Sequence, residues 1–353
     1  MPTLEQAKIK LDLIIGKSRV DLYKPIHIAE VLYRSRTVGD FDVAKLETFQ
    51  NPSLRWRNEV TQKLAGKIST SSARYQHDVW SETAMPIEFL IVLDAENKTT
   101  NGAIEKYIYA RYGERQGTVS SVISIIKDAM PEKFKLENLL ELFIKESGIR
   151  RSIDKAYEIV VYSLFETIIS ALEAKVKISV AENSKSILQE FSELAKVLLG
   201  VDENNLSWQQ DAHIFRVGVT NAADRGLDMW ANFGVAVQVK HLTLNEKLAN
   251  SIANQVESDS LVIVCKDAEV KVIETVLKQI GYGARVRGIV KESDLIKWYE
   301  KCLRGKFSSK LAKPLLKRLL NGFEAEFPFS TTLAEFLEAR AYNNLEISEF
   351  WKI

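Results

Sequence analysis

Cysteine is scarce in this chain: there are two in 353 residues, Cys265 and Cys302. That number excludes a disulfide framework and a cysteine-built zinc site. Cys265 lies in an apolar strand-like run and Cys302 in a helix-like one, so both read as buried thiols. Seven prolines and 16 glycines are also few, which excludes fibrous and low-complexity architectures. No apolar run is long enough to span a bilayer, and the opening MPTLEQAKIKLDLIIG carries charges where a secretory signal would be apolar. The expectation is a cytoplasmic protein without a membrane partner. An excess of one charge is missing as well. A net charge of +1 argues against a polyanion binder driven by basic tails, and it leaves room for a local basic cleft.

What is present is a foldable chain, with 46% hydrophobic and 27% charged residues. Its length predicts two domains, or one large core with an appended module. Residues 1–95 are helical in period, through LEQAKIKLDLIIGK, KPIHIAEVLYRSR and the run from LETFQ to RWRNEVTQKLAGK. Pro25 suits a first helical turn, and Thr37 to Asp40 reads as a break. ISTSSARYQHDVW follows. Its hydroxyl residues with Arg74 and Gln76 can offer phosphate and base contacts, or the serines can simply cap a surface helix. Residues 96–148 read as a helical linker region.

From residue 149 to 310 helix and strand alternate. A long helix, RSIDKAYEIVVYSLFETIISALEAK, precedes the strand VKISV, a helix through ILQEFSELAKVLLG, and HIFRVGVTN. LDMWA and VAVQVKH, joined at Asn232-Phe233-Gly234, form a predicted hairpin. LNEKLANSIANQVES is helical, LVIVC a buried strand, AEVKVIETVLKQI helical, ARVRGIV a final strand and DLIKWYEKCLRG a helix. The fold class is therefore α/β, a mixed central sheet flanked by helices. Residues 311–353 read as a C-terminal helical extension.

The hairpin carries the candidate chemistry. Gln238 and Lys240 are two apart, so they leave one face of their strand, and the turn brings Asp228 towards them. A carboxylate, an amide oxygen and an ammonium then converge. That set suits phosphodiester hydrolysis, in which a divalent cation is held by hard oxygen ligands beside the phosphate. Asp228 would bind Mg²⁺, Gln238 would add a neutral oxygen, and Lys240 would orient the nucleophile and offset phosphate charge. One carboxylate with a neutral amide is a weak site for a strongly hydrated ion. Glu158, in the long helix, is the candidate second acid; as an alternative it is a helix charge one turn from Asp154. Asp224 is a further metal candidate or a loop-ordering residue, and His241 points to the other strand face. A lysine at a strand end is ordinarily a solvated surface residue. Val235, Val237 and Val239 give this one its context, since they bury one face of the strand and leave access on the other.

Gly226-Leu227-Asp228 followed by Gln238-Val239-Lys240 resembles the Gln-x-Lys variant of the PD-(D/E)xK nucleases, in which glutamine replaces the usual acid, as in Mrr-like enzymes. A longer likeness is to the HaeII-type restriction endonucleases. It runs through KPIHIAEVLYR, STSSARYQ, RSIDKAYEIVVYSLF, RVGVTNAADRGLDMWANFGVAVQVKHL, IVCK and WYEKCLRG, in order. The resemblance implies a PD-(D/E)xK core with a helical N-terminal module, winged-helix-like in outline and used for DNA recognition. It also implies cleavage of both strands of double-stranded DNA at a target like RGCGCY, and a Mg²⁺ requirement. A palindromic target implies a two-fold homodimer, and a cognate DNA methyltransferase in the same system. Arg74, Gln76, Arg216, Asn221 and Arg225 are the candidate DNA contacts, each with an alternative as a phosphate contact or surface charge. Two other readings predict different behaviour: a modification-dependent or repair nuclease of Mrr type, and a DNA-binding protein derived from a nuclease that no longer cuts.

Overall fold

The computed structural model describes residues 1–69, 71–217, 227–245, 247–248, 251–252, 260–268 and 286–353. The expected helices LNEKLANSIANQVES, for most of its length, and AEVKVIETVLKQI lie outside the described residues. The chain divides into two compact units. Among the described residues, one contains Met1–Ala156 and Leu319–Ile353, the other Tyr157–Val217 and Asp224–Arg318.

The first unit is helical: α1 (Leu4–Lys17), α2 (Tyr23–Thr37), α3 (Leu46–Ala65), α4 (Ala73–His77), α5 (Ile87–Thr99), α6 (Ala103–Lys127) and α7 (Leu136–Lys145). Its helix ends follow local chemistry. Thr3 and Gln6 exchange side-chain and backbone hydrogen bonds in a capping box at the start of α1. Gly66, at φ 65°, closes α3 in the left-handed conformation that glycine adopts without strain. Pro25 does fall in the first turn of α2, whereas Pro52 lies inside α3.

The divisions expected at residues 95, 148 and 310 are not those of the fold. Tyr107, Tyr109 and Tyr112 of α6 are fully buried in the same apolar cluster as Leu11, Ile28 and Phe49. Phe336, Tyr342 and Trp351, from the far end of the chain, join that cluster too. The supposed linker and extension are thus parts of the helical core. Buried ion pairs bind the same layers. The Arg340 guanidinium donates to Glu30 Oε1 and Oε2 at 2.9 and 2.8 Å, and Arg36 donates to Glu105 at 3.0 and 2.9 Å. The Tyr109 and Tyr342 hydroxyls donate to Glu30 and Glu105 respectively. Burial pushes the Glu30 carboxyl up, and Arg340 opposes that shift. A winged helix needs a strand hairpin, and this unit has no strand among its described residues.

The second unit holds the sheet. After α8 (Ile153–Ala171), β1 (Lys175–Ser179) pairs antiparallel with β2 (Ser207–Asp211) as a separate ribbon. Between them the single expected helix is two, α9 (Lys185–Glu190) and α10 (Ser192–Leu199). The break is at Phe191, whose φ −111° and ψ 30° leave the helical region. Strands β3 (Ile214–Arg216), β4 (Met229–Ala231), β5 (Val235–Leu244), β6 (Ser260–Ala268) and β7 (Val286–Lys291) form a five-stranded sheet in chain order. The first two pairings are antiparallel and the last two parallel, so the sheet is mixed, as expected. Helix α11 (Glu292–Arg304) follows, then α12 (Ser308–Glu326) and α13 (Leu333–Ala339). Cys265 on β6 and Cys302 on α11 are both free and buried. Desolvation pushes the Cys265 thiol up to about 11, which leaves it inert at neutral pH.

Candidate active site

The predicted hairpin is present. β4 and β5 pair antiparallel, with Met229 opposite Val237 and Trp230 opposite Ala236, across the turn at Asn232–Gly234. Gly234 has φ 86°, and a Cβ added there would meet nothing within 4 Å. Only backbone strain therefore opposes another residue at this position, and Gly234→Ala is expected to cost about 1–2 kcal/mol. A lower urea midpoint with an unchanged m-value would show it. Asn232 fastens the turn from outside. Its Oδ1 accepts from the His213 N–H at 2.9 Å, and its Nδ2 donates to the Asp211 carbonyl at 2.8 Å.

Asp228 stands just ahead of β4. Its N–H donates to the Val237 carbonyl at 3.2 Å, and its carbonyl accepts from the Val217 N–H at 2.9 Å. Its carboxylate is tied to β5. Oδ2 accepts the Val239 N–H at 2.7 Å and also the Gln238 side-chain amide. Asp228 and Gln238 are thus in direct contact, as the hairpin geometry predicts. Lys240 follows two residues later on the same side of β5 and is partly exposed. Among the described residues its ammonium enters no hydrogen bond or ion pair.

One expectation about β5 fails. The face carrying Gln238 is not open along its length, because Gln238 is 1% exposed and Ala236 4%. The parallel register lines Ala236, Gln238 and Lys240 up with Leu261, Ile263 and Cys265 of β6. Ala236, Leu261, Ile263 and Cys265 belong to one apolar cluster. A central strand between two neighbours is covered on both faces, so access begins only near Lys240.

Glu158 is 5% exposed on α8, and its carboxylate faces Arg216 Nη2 at 3.7 Å. Arg216 is opposite Met229, and Met229 is opposite Val237. Directly opposed residues share a face, so Arg216 lies on the side of Val237, the side opposite Gln238. Contacts of α8 with that side continue: Tyr157 lies 5.8 Å from the His241 ring, and Glu166 Oε2 accepts the Ile214 N–H at 3.0 Å. Glu158 is therefore held on the α8 side by Arg216.

Oxygen donors of this kind suit a hard divalent cation. The Asp228 carboxylate and the Gln238 amide already touch, and a half-turn of that amide would present Oε1 in place of Nε2. Among the described residues no three of His, Cys, Asp and Glu come together as a metal site. The acids available near the hairpin are accordingly few, which matches glutamine at position 238.

In the helical unit Arg74 is exposed on α4, and Tyr75, 59% exposed, has the Lys24 ammonium 4.9 Å from its ring centre. Gln76 is differently placed. Its Oε1 accepts from the Arg57 guanidinium, and its Nε2 donates to the Ser71 carbonyl. Arg57, 2% exposed, also donates to Asn58. Burial pulls the Arg57 guanidinium down to about 10. Gln76 thus fastens the Ser71 loop to a buried arginine. Neither Arg57 nor Asn232 stood out in the sequence: Arg57 sits in an ordinary amphipathic helix, while an asparagine opening a glycine turn was the available signal for the other. Asn221, Asp224 and Arg225 lie outside the described residues.

Residues 7–342 match the family described as HaeII restriction endonuclease. The chain belongs to that family. It is 45% identical over 346 residues to the type II restriction enzyme HaeII of Haemophilus aegyptius, an alignment covering 97% of this chain and 98% of that one. It is 44% identical over 334 residues to the type II restriction enzyme NgoBI of Neisseria gonorrhoeae, covering 95% of each. No solved structure matches the chain significantly. Membership of the HaeII family makes it one of the type II restriction enzymes, which are site-specific endonucleases. Enzymes of this type act on double-stranded DNA and generally use divalent metal ions. Among the described residues no helix is long and apolar enough to cross a membrane.

Proposed function

We propose that this HaeII-family chain hydrolyses one phosphodiester bond in each strand of double-stranded DNA at a short palindrome, RGCGCY by its family likeness. The active centre is Asp228, Gln238 and Lys240, on a PD-(D/E)xK core of the Gln-x-Lys form. The observation that carries this reading is the contact of the Asp228 carboxylate with the Gln238 amide, with Lys240 two residues further along the same strand face. Mg²⁺, when bound, would polarise the phosphate and help to activate water. Asp228 would hold it, with its carboxylate kept in place by the Val239 N–H. Gln238, turned over, would add its carbonyl oxygen, and its burial restricts it to few orientations. Lys240 would take the negative charge of the phosphate, having no carboxylate of its own to satisfy among the described residues.

Glu158 is the proposed second acid. Its buried carboxylate next to Arg216 is kept ionised by the guanidinium, which is the state a metal ligand needs. Glu158→Gln is expected to raise the Mg²⁺ concentration giving half-maximal cleavage by at least about tenfold, an effect typical of losing a group that supports a metal site. A Mg²⁺ titration of the cleavage rate reads this. An unchanged midpoint, with only the melting temperature lowered, would leave Glu158 as the ion-pair partner of Arg216.

Arg74, exposed beside Tyr75, is the proposed DNA contact of the helical segment at residues 1–95, and Gln76 orders the loop that carries it. Arg216, Asn221 and Arg225 are proposed to contact DNA in the segment leading into the hairpin. A palindrome calls for two copies of the chain related by a two-fold axis, one active site for each strand. Plasmid DNA incubated with the purified protein and Mg²⁺ should give discrete fragments whose sequenced ends share one site. A smear, or cleavage only of methylated or branched DNA, would replace this reading with a modification-dependent or repair nuclease. Specific binding without cutting would indicate a nuclease that has lost its activity.

A further inference from the structure

The segment between α8 and β3 is short of buried side chains. From residue 172 to 211 only Leu188 and Val201 are buried. The ribbon of β1 and β2 carries α9 and α10, and a two-stranded ribbon has little stability of its own in water. Trp208 of β2 ties the end of α10 to it, donating from Nε1 to the Leu199 carbonyl at 2.5 Å. The two helices are amphipathic in the unexpected sense. Leu188 and Ala195 face inward, while the large apolar residues face out. Ile187 is 63% exposed, Phe191 51%, Leu194 53%, Val197 83%, Leu198 70% and Leu199 44%.

Ile187, Phe191, Leu194 and Leu198 are spaced by four, three and four residues, the spacing of a seam that packs against another helix. Monomeric proteins rarely leave contiguous apolar patches of this kind in water. Six such side chains amount to on the order of 500 Å² of apolar surface per copy, so that a pair would bury about 1,000 Å², the size at which a specific interface begins.

We propose that this arm, residues 172–211, is a dimerisation surface whose partner is the same arm of a second copy of the chain, α10 packing against α10 across a two-fold axis. A two-fold axis sets each patch against itself, so a charged stripe would repel its copy. The stripe from Ile187 to Leu198 contains no charged residue, and the match to itself is therefore free of like-charge repulsion. An uncharged aliphatic face is the wrong surface for DNA, whose backbone is met by lysine and arginine. For its use in the cell the pairing rests on the reading above of one active site per strand. Its test needs no DNA, so the two can fail separately.

The test is the solution mass of the free full-length protein by light scattering at micromolar concentration, for the wild type and for the double variant Leu194→Glu, Val197→Glu. Twice the chain mass of 40.0 kDa is expected for the wild type and 40.0 kDa for the variant, with dimer affinity lowered at least about 100-fold. Both positions are exposed, so circular dichroism and melting temperature should match the wild type. A second variant, Leu198→Cys, should form intermolecular adducts with a short bifunctional maleimide, because the native cysteines are buried. A monomeric wild type would overturn the proposal. So would a double variant that remains a dimer, or failure of the Leu198→Cys protein to cross-link. A variant that is monomeric yet cuts both strands would leave the interface standing and overturn the need for it in cleavage.

Discussion

Lys240→Ala is expected to abolish DNA cleavage while leaving the fold and DNA binding essentially intact. The lysine is partly exposed at the point where the otherwise covered face of β5 opens, and among the described residues its ammonium bonds to no other group. Truncation therefore orphans no partner, and the change in stability should stay within about 0.5 kcal/mol, as for a surface substitution. The rate should respond far more. Removing one group aimed at developing negative charge typically lowers a rate by about 10²–10³-fold, and a site with glutamine in place of an acid has few groups to compensate. Single-turnover cleavage of a short duplex separates this effect from binding, which a gel-shift titration reads. Lys240→Arg should restore little, since a planar guanidinium on a different stem does not reproduce a compact ammonium. Undiminished cutting by the alanine variant would move the active centre elsewhere.

Arg340→Ala is expected to destabilise the helical unit by about 3–5 kcal/mol, because it leaves a buried carboxylate without its countercharge. Glu30 is 3% exposed and accepts both forks of Arg340, with the Tyr109 hydroxyl as a further donor. The guanidinium also lies 3.5 Å from the centre of the Tyr33 ring and 4.7 Å from that of Phe336. Truncation removes this packing as well as the charge. Urea unfolding followed by far-ultraviolet circular dichroism measures the loss. Arg340→Ala combined with Glu30→Gln should recover part of it, since the amide does not leave a bare charge in the core. A loss below about 1 kcal/mol would mean that water reaches Glu30 once the arginine is gone.

These two residues differ in how readily the sequence reveals them. Lys240 was legible because a strand repeats every two residues and Gly234 marks a tight turn. Asp228, Gln238 and Lys240 could be brought together from spacing alone, and the Asp228 to Gln238 contact bears that out. The mixed sheet, the hairpin and the burial of both cysteines followed from equally local patterns. Arg340 gave no signal. Its partner is 310 residues away, and a C-terminal stretch read as an extension proved to close the N-terminal helical core. Gln76 was misleading for a related reason. Its setting among serines and Arg74 suggested a base contact, whereas Arg57, 19 residues earlier, occupies its amide oxygen.

The sequence by itself determined the hairpin and which side chains share its faces, because alternation and turn geometry act within a few residues. Tertiary structure alone decided how far those faces are reachable. The covering of Gln238 beside Ile263, the capture of Glu158 by Arg216 on the other side of the sheet, and the outward apolar face of α10 all depend on which elements pack together. Burial is a property of neighbours in space, and no period along the chain records them.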